Sequence, residues 1–191
     1  MKLSKIKRAI AGSKAWTLAT LEDGAQWIGD GIAAFAVPSD IDMTAKNAAA
    51  ILDINPDKRA DYSVRELVSP PAWWDRLPIE DDETELTIQA TVIHDVRTVE
   101  VMTTRDGECV MVNAEYLKPC NDAENGLAFS LRRRYNPDTG EEKEPLVVVY
   151  DDMLACALIT PLHEDIAQQV WNALRRASHT GLVYAGGKGN A

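Results

Sequence analysis

The sequence has few cysteines, few histidines and no long apolar run, and each shortage excludes a class of protein. Its three cysteines, Cys109, Cys120 and Cys156, stand far apart, whereas a disulfide-stabilised secreted domain needs an even number at close spacing. None of its three histidines lies at zinc-ligand spacing from another histidine or from a cysteine. The apolar runs fall far short of the roughly 20 residues that a membrane helix needs. These shortages predict a cytoplasmic protein without a membrane segment or a metal site.

Basic residues are outnumbered by acidic ones: the chain of 191 residues has 20 lysines and arginines against 30 aspartates and glutamates, a net charge of −10. Its 46% hydrophobic and 26% charged residues are ordinary for a globular protein. The acidic balance argues against general attraction to nucleic acid or anionic lipid. It does not exclude a local basic surface, and the basic residues near the start of the chain are candidates for one: Lys2, Lys5, Lys7, Arg8 and Lys14.

The first third of the chain predicts a helix followed by three strands. Leu3, Ile6 and Ile10 recur at helical spacing, and the helix is expected to end near Gly12 in a left-handed residue. Three β-rich runs follow, with a turn signal at Asp23-Gly24. Their predicted bounds are 15–21, 25–29 and 31–37. A second helix is predicted over residues 44–52, capped by Thr44.

The rest of the chain predicts an irregular loop, further strands and a last helix. Residues 55–83 are rich in proline and acids and are expected to form a long loop with at most a short strand at 65–68. Apolar alternation and turn signals after it predict strands at 86–92, 99–105, 108–112, 127–131, 146–150 and 154–159, with helices at 114–118 and 164–178.

These elements predict an α+β fold with an antiparallel sheet and two α-βββ units. The units span residues 4–37 and 113–159, and each reads as a helix followed by three strands. We expect one domain over residues 1–180, interrupted by the loop at 55–83. A flexible glycine-rich tail is expected at 181–191.

The sequence contains no recognisable catalytic or cofactor motif. The glycine-rich run at 186–189 is not placed between a strand and a helix, so it does not predict a phosphate-binding loop. The acidic run Glu80–Glu83 and the pair Asp151 and Asp152 leave a metal-dependent hydrolase open as one alternative. Solvated acids in the loop and turn aspartates explain the same pattern. We predict no cofactor.

Trp73 and Trp74, flanked by prolines, are candidates for a protein contact, since exposed tryptophan favours interfaces. Burial of the two side chains against the sheet is the competing interpretation. A regulatory or interaction module of phage origin, without nucleic-acid binding, is therefore a second alternative.

The second unit carries a pattern that resembles a DNA sliding clamp. A strand leads into Asn113, Tyr116 and Leu117, and later strands begin at Pro145-Leu146 and end before Pro161. The resemblance to this processivity-factor family implies a clamp-like domain whose helices offer lysine and arginine to duplex phosphates. It implies that Lys2, Lys5, Lys7 and Arg8 face DNA, with Lys14 just beyond them. The small acidic chain also resembles phage or prophage proteins.

The leading prediction is a non-enzymatic protein of DNA metabolism, acting as a clamp-like DNA-associated or partner-docking module. One chain holds about one of the six domains that build such a ring. A clamp that encircles DNA would therefore require a homo-oligomer.

Overall fold

The computed structural model describes residues 2–68, 70, 74, 76–78, 83–94, 96–121, 126–136 and 138–179. The described helices are α1 (Leu3–Ile10), α2 (Ala48–Ile51) and α3 (Glu164–His179). The strands are β1 (Ala15–Thr20), β2 (Gln26–Gly29), β3 (Ala33–Ala36), β4 (Ser63–Leu67), β5 (Glu83–His94), β6 (Arg97–Thr104), β7 (Cys109–Asn113), β8 (Leu127–Tyr135), β9 (Glu142–Asp151) and β10 (Leu154–Ile159). Short 3₁₀ turns occur at Pro56–Asp61, Ala114–Tyr116 and Lys118–Cys120. In the described part of the chain no helix is long and apolar enough to cross a membrane.

All ten described strands belong to one sheet, in the order β4-β1-β2-β3-β10-β9-β8-β5-β6-β7. Every pair is antiparallel except β1 with β4, which run parallel. The connection from β3 through α2 to β4 is long enough to return the chain in the same direction as β1. The α+β prediction is confirmed, and the sheet is mixed rather than wholly antiparallel.

The side of the sheet that α1 and α2 cover, here the first face, carries the largest apolar core. Ile6 and Ile10 of α1 and Ala48 of α2 pack there with side chains from most strands of the sheet. On β9, Val147 and Val149 point to this face, whereas Val148 points to the opposite one. Both faces of β9 are therefore buried, which explains why its apolar residues run continuously instead of alternating with polar ones.

The opposite side, the second face, has two smaller apolar clusters. One is centred on Trp27, Val148 and Leu158. In the other, Val170 of α3 is fully buried against Val99 of β6 and Met111 of β7. The apolar stripe of α3 therefore fixes the helix over the β5–β7 end of the sheet.

Polar contacts after β10 join the end strand β7 to the middle of the sheet. The amide of Leu162 donates to the Met111 carbonyl at 2.7 Å. The amide of Thr160 donates to the Ile32 carbonyl at 2.8 Å. The Tyr116 hydroxyl, just after β7, donates to the Asp30 carboxylate in the β2–β3 turn at 3.1 Å. The sheet is thus curved so that its β7 end approaches the β2–β3 turn.

A buried ion pair crosses the second face between β5 and β8. Arg132 is fully buried, and its Nε donates to Oε1 of Glu83 at 2.7 Å. Its guanidinium also donates to the Tyr150 hydroxyl at 2.9 Å and to the Leu77 carbonyl at 3.0 Å. Tyr150 in turn donates to the Glu83 carboxylate. Each buried polar group in this cluster is hydrogen-bonded, as burial of charge requires.

Three local predictions are wrong in detail. Residues 44–47 form a turn, and α2 begins only at Ala48. Thr44 caps this turn as predicted, since its hydroxyl accepts the Asn47 amide at 3.3 Å and its carbonyl accepts the Ala48 amide at 2.9 Å. The predicted helix at 114–118 is a pair of 3₁₀ turns interrupted at Leu117. Gly12 does not adopt a positive φ at the end of α1.

The region predicted as a loop at 55–83 contains more structure than its composition indicates. It includes the 3₁₀ turn Pro56–Asp61 and strand β4, which pairs with β1 from Ser63 to Leu67. The predicted short strand at 65–68 is therefore confirmed with shifted bounds. The predicted tail at 181–191 lies outside the described residues.

Candidate nucleic-acid interface

Helix α1 is fixed by its apolar side, which leaves its basic side chains on the outer side. Ile6 and Ile10 have no exposed surface, and Leu3 packs against the same core. Lys2 and Arg8 are exposed, and Lys5 is partly exposed. The amphipathic pattern of the sequence therefore determines which side of α1 a ligand can reach.

Two aromatic side chains hold the C-terminal end of α1. The indole N–H of Trp16 donates to the Ile10 carbonyl at 3.1 Å, and the Tyr62 hydroxyl donates to the Ala11 carbonyl at 3.2 Å. The two rings lie 4.7 Å apart. These donors satisfy carbonyls that a helix end leaves unpaired, so no left-handed glycine is needed there.

The residues after β7 form a compact turn segment, residues 113–121, beside α1. Oδ1 of Asn113 accepts the Glu115 amide at 3.0 Å, which starts the first 3₁₀ turn. Within the segment, three side chains are buried, those of Leu117, Pro119 and Cys120. Lys118 is exposed. The buried side chains fix the segment against the first face of the sheet and keep Lys118 on the outside.

A groove of about 170 Å³ separates α1 from the turn segment. Three basic residues and one acid line it, with two further residues; the set is Lys5, Arg8, Ala9, Glu115, Lys118 and Asn121. Lys118 forms an ion pair with Glu115, and Arg8 makes no ion pair with any residue that the structure describes. We call this feature the basic groove.

The structure divides the five basic residues that the sequence singled out. Lys5 and Arg8 line the basic groove, and Lys2 lies exposed at the start of α1. Nζ of Lys7 lies 3.3 Å from the Asp53 carboxylate, and Nζ of Lys14 lies 2.9 Å from the Asp61 carboxylate. The five side chains therefore do not form one uniform positive patch.

The Lys14–Asp61 contact perturbs both titrations. Its hydrogen bond and charge attraction raise the pKa of Lys14 and lower the pKa of Asp61. Each group thus stabilises the charged form of the other.

Lys118 is the residue of the groove that the sequence interpretation missed. It directly follows the Asn113, Tyr116 and Leu117 pattern on which the clamp resemblance rests. The clamp resemblance drew attention to the basic residues of α1 because it implies that helices face DNA. The same reasoning, applied to the helical element of the second unit, would have indicated Lys118.

Trp74 is only partly exposed and packs on the second face. Its ring meets the fully buried Trp27 edge-on, with centroids 6.4 Å apart and an interplanar angle of 70°. This geometry corresponds to the competing interpretation of burial against the sheet. Trp73, its predicted companion in a partner contact, lies outside the described residues.

The acidic residues considered for a hydrolase do not come together among the described residues. Glu83 is bound to Arg132 in the buried ion pair, so it is not a solvated loop acid as expected. Asp152 has a φ of 60° at the β9–β10 turn. Glu80 and its next two neighbours lie outside the described residues, and no group of three potential metal ligands occurs within them.

Comparisons of this chain with protein-family models, curated proteins and solved structures found no match. Its function must therefore be inferred from its own residues.

Proposed function

We propose that this protein is a non-enzymatic DNA-associated module with a clamp-like domain. In this proposal α1 and the turn segment contact the phosphates of duplex DNA through the basic groove. The observation that carries the proposal is the meeting of Lys5, Arg8 and Lys118, from two distant parts of the chain, around one groove.

The order of elements supports a two-unit, clamp-like interpretation. Helix α1 precedes β1, β2 and β3, and the helical turns of the turn segment precede β8, β9 and β10. The two sets of three strands meet at β3 and β10, which pair antiparallel, with β1 and β8 on the outside. Both helical elements lie on the first face, beside one another. Two α-βββ units related by an approximate two-fold axis would produce this order.

The charges support contact with phosphate rather than with bases. Lysine and arginine side chains that approach the DNA backbone bind without regard to sequence and release counterions. A net charge of −10 repels DNA from most of the surface. Attraction is therefore confined to a local site, and the basic groove is the site where three cationic side chains from two elements converge.

Fluorescence anisotropy with a labelled duplex at low salt tests the proposal. The charge-reversal variant carries Lys5→Glu, Arg8→Glu and Lys118→Glu. The matched control, with the same change of net charge, carries Arg65→Glu, Arg105→Glu and Lys143→Glu, all outside α1 and the turn segment. We expect the first variant to lose binding and the control to keep most of it. Equal losses would show that only total charge matters, and absence of binding by the parent protein would refute the proposal.

A further inference from the structure

Strand β5 is long, and most of its length is paired on one side only. It pairs with β6 from Leu86 to His94, but with β8 only from Glu83 to Leu86. Beyond Leu86, no strand in the described ranges pairs with β5 on its β8 side. We call residues 87–94 on this side the β5 edge.

Strand β5 contains a β-bulge beyond the stretch that pairs with β8. Ile88 faces Met102 on β6 and Ala90 faces Val101, so Gln89 is an extra residue in β5. A bulge bends its strand and increases the local twist. The extra residue lies three positions after Leu86, the last residue that pairs with β8, and Ala90 to His94 continue beyond it in regular register with β6.

Apart from the bulge at Gln89, the β5 edge lacks the features that normally protect an exposed strand. From Thr87 to His94 it contains no lysine, no proline and no carboxylate, which are the usual devices against edge pairing. Ile88 is 41% exposed and Ile93 is 78% exposed. In contrast, the edge strand β4 carries Arg65 and Glu66.

We infer that the β5 edge pairs antiparallel with the same edge of a second copy of this chain. A chain with a charge of −10 repels its copies over most of the surface, whereas the β5 edge carries no carboxylate of its own. The nearby carboxylate of Glu100, on β6, is held by the Thr91 hydroxyl, which donates to it at 2.7 Å. Antiparallel pairing of a strand with itself also produces a closed two-fold contact in which the same surface is used twice. The inference is independent of the proposed DNA binding, because no residue of the β5 edge lines the basic groove.

The geometry of antiparallel pairing fixes the register. Residues that face each other across an antiparallel pair point to the same side of the sheet, so a two-fold axis normal to the sheet passes midway between a residue and the same residue of the other copy. Val92 is the middle of the regular stretch 90–94. Thr91 of each copy then faces Ile93 of the other, and pairing covers the exposed isoleucine.

Light scattering coupled to size exclusion tests the inference on the intact chain. We expect the parent to have the mass of two chains and Ile93→Lys to have the mass of one. Because Ile93 is largely exposed, this change should leave the circular dichroism spectrum unaltered. The control is Val68→Lys, which alters a residue that is 96% exposed outside β5, and we expect it to remain dimeric.

Hydrogen exchange on the parent gives a second readout that needs no variant. Amides of residues 88–94 should exchange more slowly as the protein concentration rises, since pairing protects them. A parent that stays monomeric at its highest soluble concentration would overturn the inference. So would a dimer that persists unchanged in Ile93→Lys, because association would then use another surface.

Discussion

The buried ion pair between Arg132 and Glu83 leads to the sharpest stability prediction. Arg132→Met replaces the fully buried guanidinium with an unbranched apolar side chain. The Glu83 carboxylate, whose side chain is only 7% exposed, then remains buried without its cation. Among the groups shown to contact it, only the Tyr150 hydroxyl still donates to it.

The structure allows the size of the effect to be worked out. Removing one partner of a buried ion pair costs about 3–5 kcal/mol, because the other charge is left uncompensated. For a chain of this length, one kcal/mol lowers the melting temperature by about 2–4 °C. We therefore expect Arg132→Met to melt roughly 6–20 °C below the parent. In the double variant, Glu83→Gln removes the buried charge that has lost its partner. We expect it to recover more than half of the loss in melting temperature.

Urea denaturation and thermal melting, both followed by circular dichroism, measure the effect. The neighbouring residue supplies the control: Arg133 pairs with Glu108 and Glu142 on the surface, at 2.8 and 2.6 Å. Surface pairs contribute at most about 1 kcal/mol, so Arg133→Met should be nearly neutral. If Arg132→Met cost no more than Arg133→Met, the reasoning about the buried pair would be wrong.

Three further predictions concern other parts of the molecule. Burial and the nearby Asp30 raise the pKa of Tyr116 to about 12; the fold therefore favours the protonated hydroxyl, and stability should fall as the pH rises from the unfolded pKa of about 10 towards 12. Tyr116→Phe should flatten that fall in melts recorded across this range. Cys109 is exposed and the other two cysteines are buried, so one thiol per folded chain should react with Ellman's reagent and three after unfolding; three reactive thiols in the folded chain would contradict the packing. At Gly29 an added Cβ would lie 2.3 Å from the Ala33 carbonyl oxygen, whereas at Gly12 it meets no atom within 4 Å; chemical denaturation should show Gly29→Ala destabilised by about 1–3 kcal/mol and Gly12→Ala unaffected or slightly stabilised.

Local patterns predicted most strands and turns of this fold. The turn signal at Asp23-Gly24 places its glycine at a positive φ of 84°, and Gly107, in the turn between β6 and β7, has a positive φ of 89°. The spacing of Ile6 and Ile10 predicted which side of α1 is buried. These turns and the buried side of α1 depend only on residues a few positions apart. A short stretch of sequence is therefore enough to predict them.

Contacts between distant residues could not be predicted in this way. Glu83 and Arg132 are 49 positions apart, and Lys7 and Lys14 find their carboxylates 46 and 47 positions further along the chain. Which basic side chains meet a carboxylate therefore depends on the tertiary fold and not on local pattern. Whether the two units are duplicated, and whether the domain is clamp-like, stay proposals for the same reason.

The salt dependence of duplex binding tests the proposed function most directly. If all three cationic side chains contact phosphates, with Lys118 released from Glu115, log K should fall with log salt concentration at a slope of about −2.7. Removing one of them by Arg8→Gln should reduce the slope to about −1.8, with weaker binding at every salt concentration. The proposal predicts this graded change for any duplex sequence. Binding that is absent in the parent, or a slope that Arg8→Gln leaves unchanged, would contradict it.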